Sequence, residues 1–157
     1  MSTIDTVGHD WRSDVERIRA ARPRHVLFLC VANSARSQMA EAIARTLAPP
    51  GTRISSAGSR PSHVSPLALR VLAEIGIDAA RQYSKSVADI PARDVDVVVT
   101  LCAQEVCPAF LGNALRVHWA FPDPAAAGRS EPESLEGFRR VRDQLRRRLE
   151  LVFAPAD

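Results

Sequence analysis

The sequence predicts a single α/β domain in which a four-stranded parallel sheet is flanked by helices on both faces, preceded by an extra N-terminal helix. Three observations predict it. Short apolar runs alternate with amphipathic segments from residue 25 onward, the pattern of strand–helix–strand units. The 157 residues are enough for one core, and 46% hydrophobic with 25% charged is ordinary for a globular chain. Aromatics are only 5%, so that core must rest on Val, Leu, Ile and Ala.

Residues 1–24 read as an extension ahead of a core domain spanning 25–157. Within it, Trp11, Val15, Ile18 and Ala21 recur at helical spacing, so a helix is expected around residues 10–21, and Pro23 ends it. His25 to Cys30 is a buried strand. Ser37 to Leu47 is a helix with Met39, Ile43 and Leu47 on one face, stopped by Pro49, Pro50 and Gly51. Arg53 to Ala57 is a second strand ending at Gly58. Ser65-Pro66 places a capping residue before a proline at the first helical position, a start signal for a helix running through Leu69, Leu72 and Ile75 to Gly76. Val95 to Leu101 is a third strand and Leu115 to Trp119 a fourth. Glu131 to Phe153 is a long final helix whose stripe is Leu135, Phe138, Val141, Leu145, Leu149 and Val152.

The formal net charge is +3, carried almost wholly by arginine, since Lys85 is the single lysine. Arg146, Arg147 and Arg148 lie on the final helix beside Glu150 and read as a solvated face. Without interleaved aromatics or a binding module, no nucleic-acid partner is expected. No apolar stretch is long enough to span a bilayer, so no membrane association is expected. The N-terminus carries His9, Asp10, Arg12, Asp14 and Glu16 where a signal peptide needs an apolar segment, so a cytoplasmic location is expected. Three cysteines in a reducing compartment argue for catalytic or metal-binding thiols, not a disulfide framework.

The chemistry-bearing feature is Cys30-Val31-Ala32-Asn33-Ser34-Ala35-Arg36-Ser37. A cysteine at a strand end is followed by a short loop, then Arg and Ser opening a helix. Converging backbone N–H groups and a helix N-terminus make an anion cradle, and Arg36 adds a two-pronged donor. The same field favours Cys30 as thiolate, with Ser37 able to donate to its sulfur. A tetrahedral oxyanion bound by residues 31–37 would then present its central atom to the nucleophile. Burial of Cys30 as an ordinary core residue is the bland alternative.

Cys102 and Cys107 form a second feature, separated by four residues and starting at a strand end. Strand ends share one edge of a parallel sheet, which puts Cys102 within plausible reach of Cys30. His9, His25, His63 and His118 form no ligand pair with another His or Cys, so no metal site is expected. Asp123, between Pro122 and Pro124 just after a strand, sits on a stiff loop and can serve as a general acid, although Asp-Pro is also a common turn. His118 and Trp119 read as a partly buried structural pair, and His63 as a surface-loop residue.

Together these pieces resemble the arsenate reductases built on the low-molecular-weight tyrosine phosphatase fold, the kind coupled to thioredoxin. The resemblance runs from about His25 to Val152. It rests on Cys30 to Glu41, Ser56-Ala57-Gly58, Val98 to Cys102, Cys107-Pro108, and His118-Trp119 through Asp123-Pro124. Ser37-Gln38-Met39 and the second cysteine after the strand look like the reductases. In the phosphatases a proline usually follows that Ser, and tyrosines follow the Asp-Pro, where Ala125, Ala126 and Ala127 stand here.

The resemblance implies that Cys30 attacks arsenate, that Arg36 and the loop bind its oxygens, and that Asp123 protonates the leaving oxygen. Cys102 would expel arsenite by forming a disulfide with Cys30, and Cys107 would take that disulfide over for reduction by thioredoxin, in arsenic detoxification. Phosphate and sulfate would compete for the cradle, and no cofactor would be bound.

Three departures from the family pattern matter. The loop between Cys102 and Cys107 is short. A cysteine often found at position 35 is Ala35. Some members bind potassium through residues matching Asn33, Glu41 and Ser56 plus an acid near position 85, where this chain has Lys85, whose ammonium can stand in for the cation. The rival readings are a tyrosine phosphatase, a reductase served by mycothiol or by glutathione with glutaredoxin, and an arsenite-sensing module. Cys107 favours thioredoxin, and the absence of a DNA-binding helix pair disfavours a sensor.

Overall fold

The computed structural model describes residues 10–103, 112–125 and 128–155. The elements follow in the order α1 (Trp11–Ala21), β1 (His25–Cys30), α2 (Arg36–Leu47), β2 (Arg53–Gly58), α3 (Pro66–Ala73), β3 (Val97–Thr100), β4 (Leu115–His118) and α4 (Glu131–Val152), with short 3-10 turns at Val87–Asp89 and Ala92–Asp94. The four strands form one parallel sheet in the order β2-β1-β3-β4. Every residue of β1 is buried, as a central strand requires. The chain leaves β1 to one side for β2, then crosses back to the other side for β3. That reversal opens a crevice beyond the carboxyl ends of β1 and β3, where open α/β sheets bind ligands.

Alternation along the strands sorts the core into two faces. Val26, Phe28, Val97, Val99 and Val117 pack with residues of all four α-helices. On the opposite face Leu27, Leu29, Ala57, Val95 and Val98 are covered by Val87, Ile90, Ala92 and Ala114, partly from the 3-10 turns. The whole apolar stripe expected on α4 is buried. Ser130 caps that helix by accepting from the Glu133 amide at 3.3 Å and donating to the Glu133 carboxylate at 2.9 Å. Among the described residues no helix is long and apolar enough to cross a membrane.

α1 forms where the periodicity places it. Asp10 caps its start by accepting from the Arg12 amide, and Trp11, Val15 and Ile18 face inward. Its last turn docks on α4: Arg19 Nη1 donates to the carbonyls of Leu151 (2.8 Å) and Ala154 (2.9 Å), at and just past the C-terminal end of that helix.

β3 is shorter than the expected 95–101. Val95 donates its amide to Ala92 and so belongs to the preceding turn. Asp96, just before the strand, bonds through its backbone to His25 of β1 and Leu115 of β4, while its carboxylate accepts from the amides of Arg24 (2.7 Å) and His25 (3.0 Å). α3 ends at Ala73, before the expected Ile75, because Gly76 takes a left-handed φ of +79° and lets Ile77 donate back to the Leu72 carbonyl.

His25 opens β1 with its ring buried, Nδ1 at 3.1 Å from the Asp94 carbonyl and Nε2 at 2.8 Å from Ser55 Oγ. Burial first, and then the nearby Arg53 guanidinium, push its pKa below the ordinary 6.5. The unfolded chain therefore takes up the proton more readily than the folded one. The corresponding stability is present above pH 6.5 and is lost as pH falls below it. Urea midpoints at about pH 7.5 and about pH 5.5 are expected to differ in that direction, and His25→Gln is expected to shrink the difference.

Candidate active site

The segment from Cys30 to Arg36 joins β1 to α2 at the crevice, and its shape follows from where its backbone groups are tied. The Val31 carbonyl accepts from the Arg60 amide (2.9 Å) and the Ser34 carbonyl from the Ser65 amide (2.9 Å). The Ala32 carbonyl accepts from the Ser62 amide and Ser84 Oγ, both at 3.1 Å. Gln38 Nε2 donates to the Asn33 carbonyl at 3.1 Å. In a trans peptide the N–H points opposite to the C=O. Four carbonyls held outward thus turn the amides of Ala32, Asn33, Ser34 and Ala35 into the loop, the concave nest that binds anions.

Asn33 holds this turn together. Its φ is +48°, a left-handed conformation that asparagine tolerates better than most residues. Its Oδ1 accepts from the Lys85 amide (2.8 Å) and Gln38 Nε2 (3.0 Å), which fixes the orientation of the carboxamide. Its Nδ2 donates to Ser37 Oγ (2.8 Å) and Ser56 Oγ (2.9 Å). Ser37 Oγ lies 2.8 Å from Cys30 Sγ. With Asn33 already donating to it, the Ser37 hydroxyl is oriented to give its own proton to the sulfur.

Gly58 is required by proximity. A Cβ there would sit 2.3 Å from the Val31 carbonyl oxygen and 2.9 Å from both the Asn33 amide nitrogen and the Cys30 oxygen. All three are backbone atoms of the cradle and cannot yield without opening it. Gly58→Ala is expected to cost about 1–3 kcal/mol of stability in urea melts, as overpacking does. It is also expected to weaken phosphate binding measured by calorimetry at least about tenfold, because a cradle shifted by a fraction of an ångström misaims its amides.

Arg36 opens α2, is nearly buried, and donates from Nη1 to the Phe121 carbonyl at 2.9 Å. Phe121 in turn donates its amide to the Leu101 carbonyl (3.1 Å). The segment after β4 is therefore drawn across the crevice, carrying Asp123 two residues further on. Asp123 is exposed, and its carboxylate accepts from the Ala125 amide at 2.9 Å. Cys30, the last residue of β1, and Cys102, two residues past the adjacent parallel β3, are both buried, with the Leu101 amide bonded to the Leu29 carbonyl at 2.9 Å. Cys102 is disulfide-bonded and Cys30 carries a free thiol. Cys107 lies outside the described residues, as do Ala126 and Ala127.

Of the expected structural pair, Trp119 is buried while His118 is exposed and bonded through Nδ1 to Thr100 Oγ1 at 2.6 Å; His63 is exposed. Behind the cradle, the buried Glu41 carboxylate accepts from Ser56 Oγ (2.6 Å), Arg45 Nε (2.9 Å) and Lys85 Nζ (3.4 Å), and Lys85 Nζ also donates to the Tyr83 carbonyl (2.9 Å). Gly58, Gln38, Ser84 and Ser65 shape the loop but were not singled out for that role by the sequence, because their partners are distant in the chain.

The low molecular weight phosphotyrosine protein phosphatase family matches residues 25–155. An arsenate reductase of Halalkalibacterium halodurans is 42% identical over 126 residues, covering 79% of this chain and 91% of that protein. A glutaredoxin arsenate reductase of Synechocystis sp. is 37% identical over 133 residues, 83% of this chain and 97% of that protein. A solved structure described as an arsenate reductase in the phosphate binding state superposes with a TM-score of 0.69 at 35% identity, covering 83% of this chain and 97% of that one.

Proposed function

The chain belongs to the low molecular weight phosphotyrosine protein phosphatase family, and from that premise we propose that it is an arsenate reductase working through Cys30, Cys102 and Cys107. It is an enzyme that reduces arsenate. The observation that carries the thiol mechanism is that Cys30, the last residue of β1, and Cys102, two residues past the adjacent β3, are both buried at the same edge of the sheet, with the anion cradle following the first.

The Cys30 thiolate attacks arsenic while the amides of residues 32–35 and the guanidinium of Arg36 hold the oxygens. An oxygen leaves as water with a proton from Asp123, giving a thiol–arsenate ester. Cys102 attacks the Cys30 sulfur. The S–As electron pair stays on arsenic, which becomes As(III) and departs as arsenite, leaving a Cys30–Cys102 disulfide. Cys107 then attacks Cys102 and frees Cys30. Thioredoxin reduces the remaining disulfide by thiol exchange. A two-electron reduction needs two thiols oxidised; a third is useful where the first pair is buried, as Cys30 and Cys102 are. A cycle of this kind needs a reducing compartment, which supports a cytoplasmic location.

The donor is tested by following arsenate-dependent NADPH oxidation with thioredoxin and its reductase, and separately with glutathione and glutaredoxin. Faster turnover with thioredoxin is expected. Faster turnover with glutaredoxin would reassign the donor to the kind named for the Synechocystis relative.

We also infer that no metal ion is needed. The Lys85 ammonium, bound to Glu41 and to the Tyr83 carbonyl, supplies the positive charge behind the cradle. Arsenate turnover in potassium and sodium salts of equal ionic strength is expected to agree within about twofold. Several-fold stimulation by potassium would contradict it.

A further inference from the structure

α1 precedes the residues that the family matches, yet it ends in contact with the catalytic segment. The link is one guanidinium. Arg148 of α4 lies 5.0 Å from the ring centroid of Trp11, 5.3 Å from that of Trp119 and 4.7 Å from that of Phe121. All three distances fall within cation–π range, and such contacts strengthen as water is excluded. The three rings are buried, Trp11 least completely. Arg12 and Arg147 also approach Trp11, at 4.7 and 5.8 Å, but among the described residues only Arg148 lies over Trp11, Trp119 and Phe121 together. Trp119 needs that support. Its indole Nε1 is buried with no hydrogen-bond partner among the described residues, so packing, not a side-chain hydrogen bond, holds its ring.

Phe121 is the residue whose carbonyl accepts from Arg36, and Asp123 follows two positions later. A shift of the Phe121 ring moves the carbonyl that aims Arg36 and the loop that carries the acid. At its other end α1 is moored by Arg19 to the last carbonyls of α4, so Trp11 is pressed against Arg148 from a fixed support.

The geometry points to Trp11 and Arg148 as positioning residues: the N-terminal helix closes an aromatic box around the Arg148 guanidinium and thereby holds Phe121, Arg36 and Asp123 in working register. This rests on the roles given above to Arg36 and Asp123. Neither Trp11 nor Arg148 touches the substrate.

The test uses the full chain with Trp11→Ala, Trp11→Phe, Arg148→Met and Arg148→Lys, assayed well below their melting temperatures. Trp11→Ala and Arg148→Met are expected to lower kcat/KM for arsenate about tenfold, since small misplacements at a distance carry effects of this size. KM and the phosphate inhibition constant should rise through Arg36, and the pH profile of kcat should change through Asp123. Trp11→Phe, which keeps an aromatic face, should restore most of the loss. Arg148→Lys keeps the charge without the flat stack and should fall between, which keeps the test decisive should the methionine variant fail to fold. Variants that melt earlier but match the parent in kcat/KM, phosphate inhibition and pH profile would overturn the inference and leave α1 a stabilising addition only. A parent protein that reduces no arsenate would instead sink the functional reading itself.

Discussion

Cys30→Ser is expected to abolish arsenate reduction, lowering kcat by at least about 10⁴-fold, the scale on which removal of a covalent nucleophile acts. The substitution replaces sulfur by oxygen in a fully packed position and leaves the rest of the cradle alone. Ser37 still has a partner within reach, and the outward ties on Val31, Ala32, Asn33 and Ser34 do not involve the side chain. Phosphate binding should therefore survive within a few-fold while turnover disappears. Calorimetry with phosphate beside an arsenite assay separates the two. Loss of binding together with turnover would mean that the cradle had collapsed. Retained turnover would mean that another group attacks the oxyanion.

Cys102→Ser is expected to stop catalytic turnover almost as completely, with kcat reduced by about 10³-fold or more, but for a different reason. Cys30 can still form its ester with arsenate, because the hydrogen bonds that tie the cradle, from Arg60, Ser62, Ser65, Ser84 and Gln38, do not run to the thiol after β3. The bond to arsenic then has no neighbouring sulfur to break it, and arsenic stays pentavalent. Slow hydrolysis of an aryl phosphate, which needs only the cradle, Cys30 and Asp123, should persist in this variant. Normal arsenate reduction by Cys102→Ser with thioredoxin would remove Cys102 from the relay, and reduction only with glutathione would show that a small thiol replaces it.

How far the sequence revealed the molecule depends on whether the deciding contact was local. The apolar run of β1, the helix start at Ser65-Pro66 and the stripe of α4 were readable because neighbours along the chain determine them. α1 was readable for the same reason, but its purpose was not: Trp11 meets Arg148, and the two are separated by nearly the whole chain. The expected start of β3 lies two residues too early: Val95 bonds back to Ala92 in a turn and the Asp96 carboxylate ties the amides of Arg24 and His25, contacts that their strand-like neighbours do not reveal. In the site, Cys30 and Arg36 stood out from spacing and chemistry. The need for glycine at position 58 did not, since it comes from the approach of a backbone more than twenty residues earlier. The contact between Arg36 and the Phe121 carbonyl, two residues before Asp123, was equally hidden.

The most direct measurement is a single turnover without any donor. Fully reduced protein is mixed with one equivalent of arsenate, quenched with an alkylating reagent and digested, while arsenic in solution is speciated. One equivalent of arsenite, alkylated Cys30 and a peptide pair joined through Cys102 and Cys107 is the predicted outcome. Arsenic left entirely pentavalent, with all three cysteines alkylated, would contradict it.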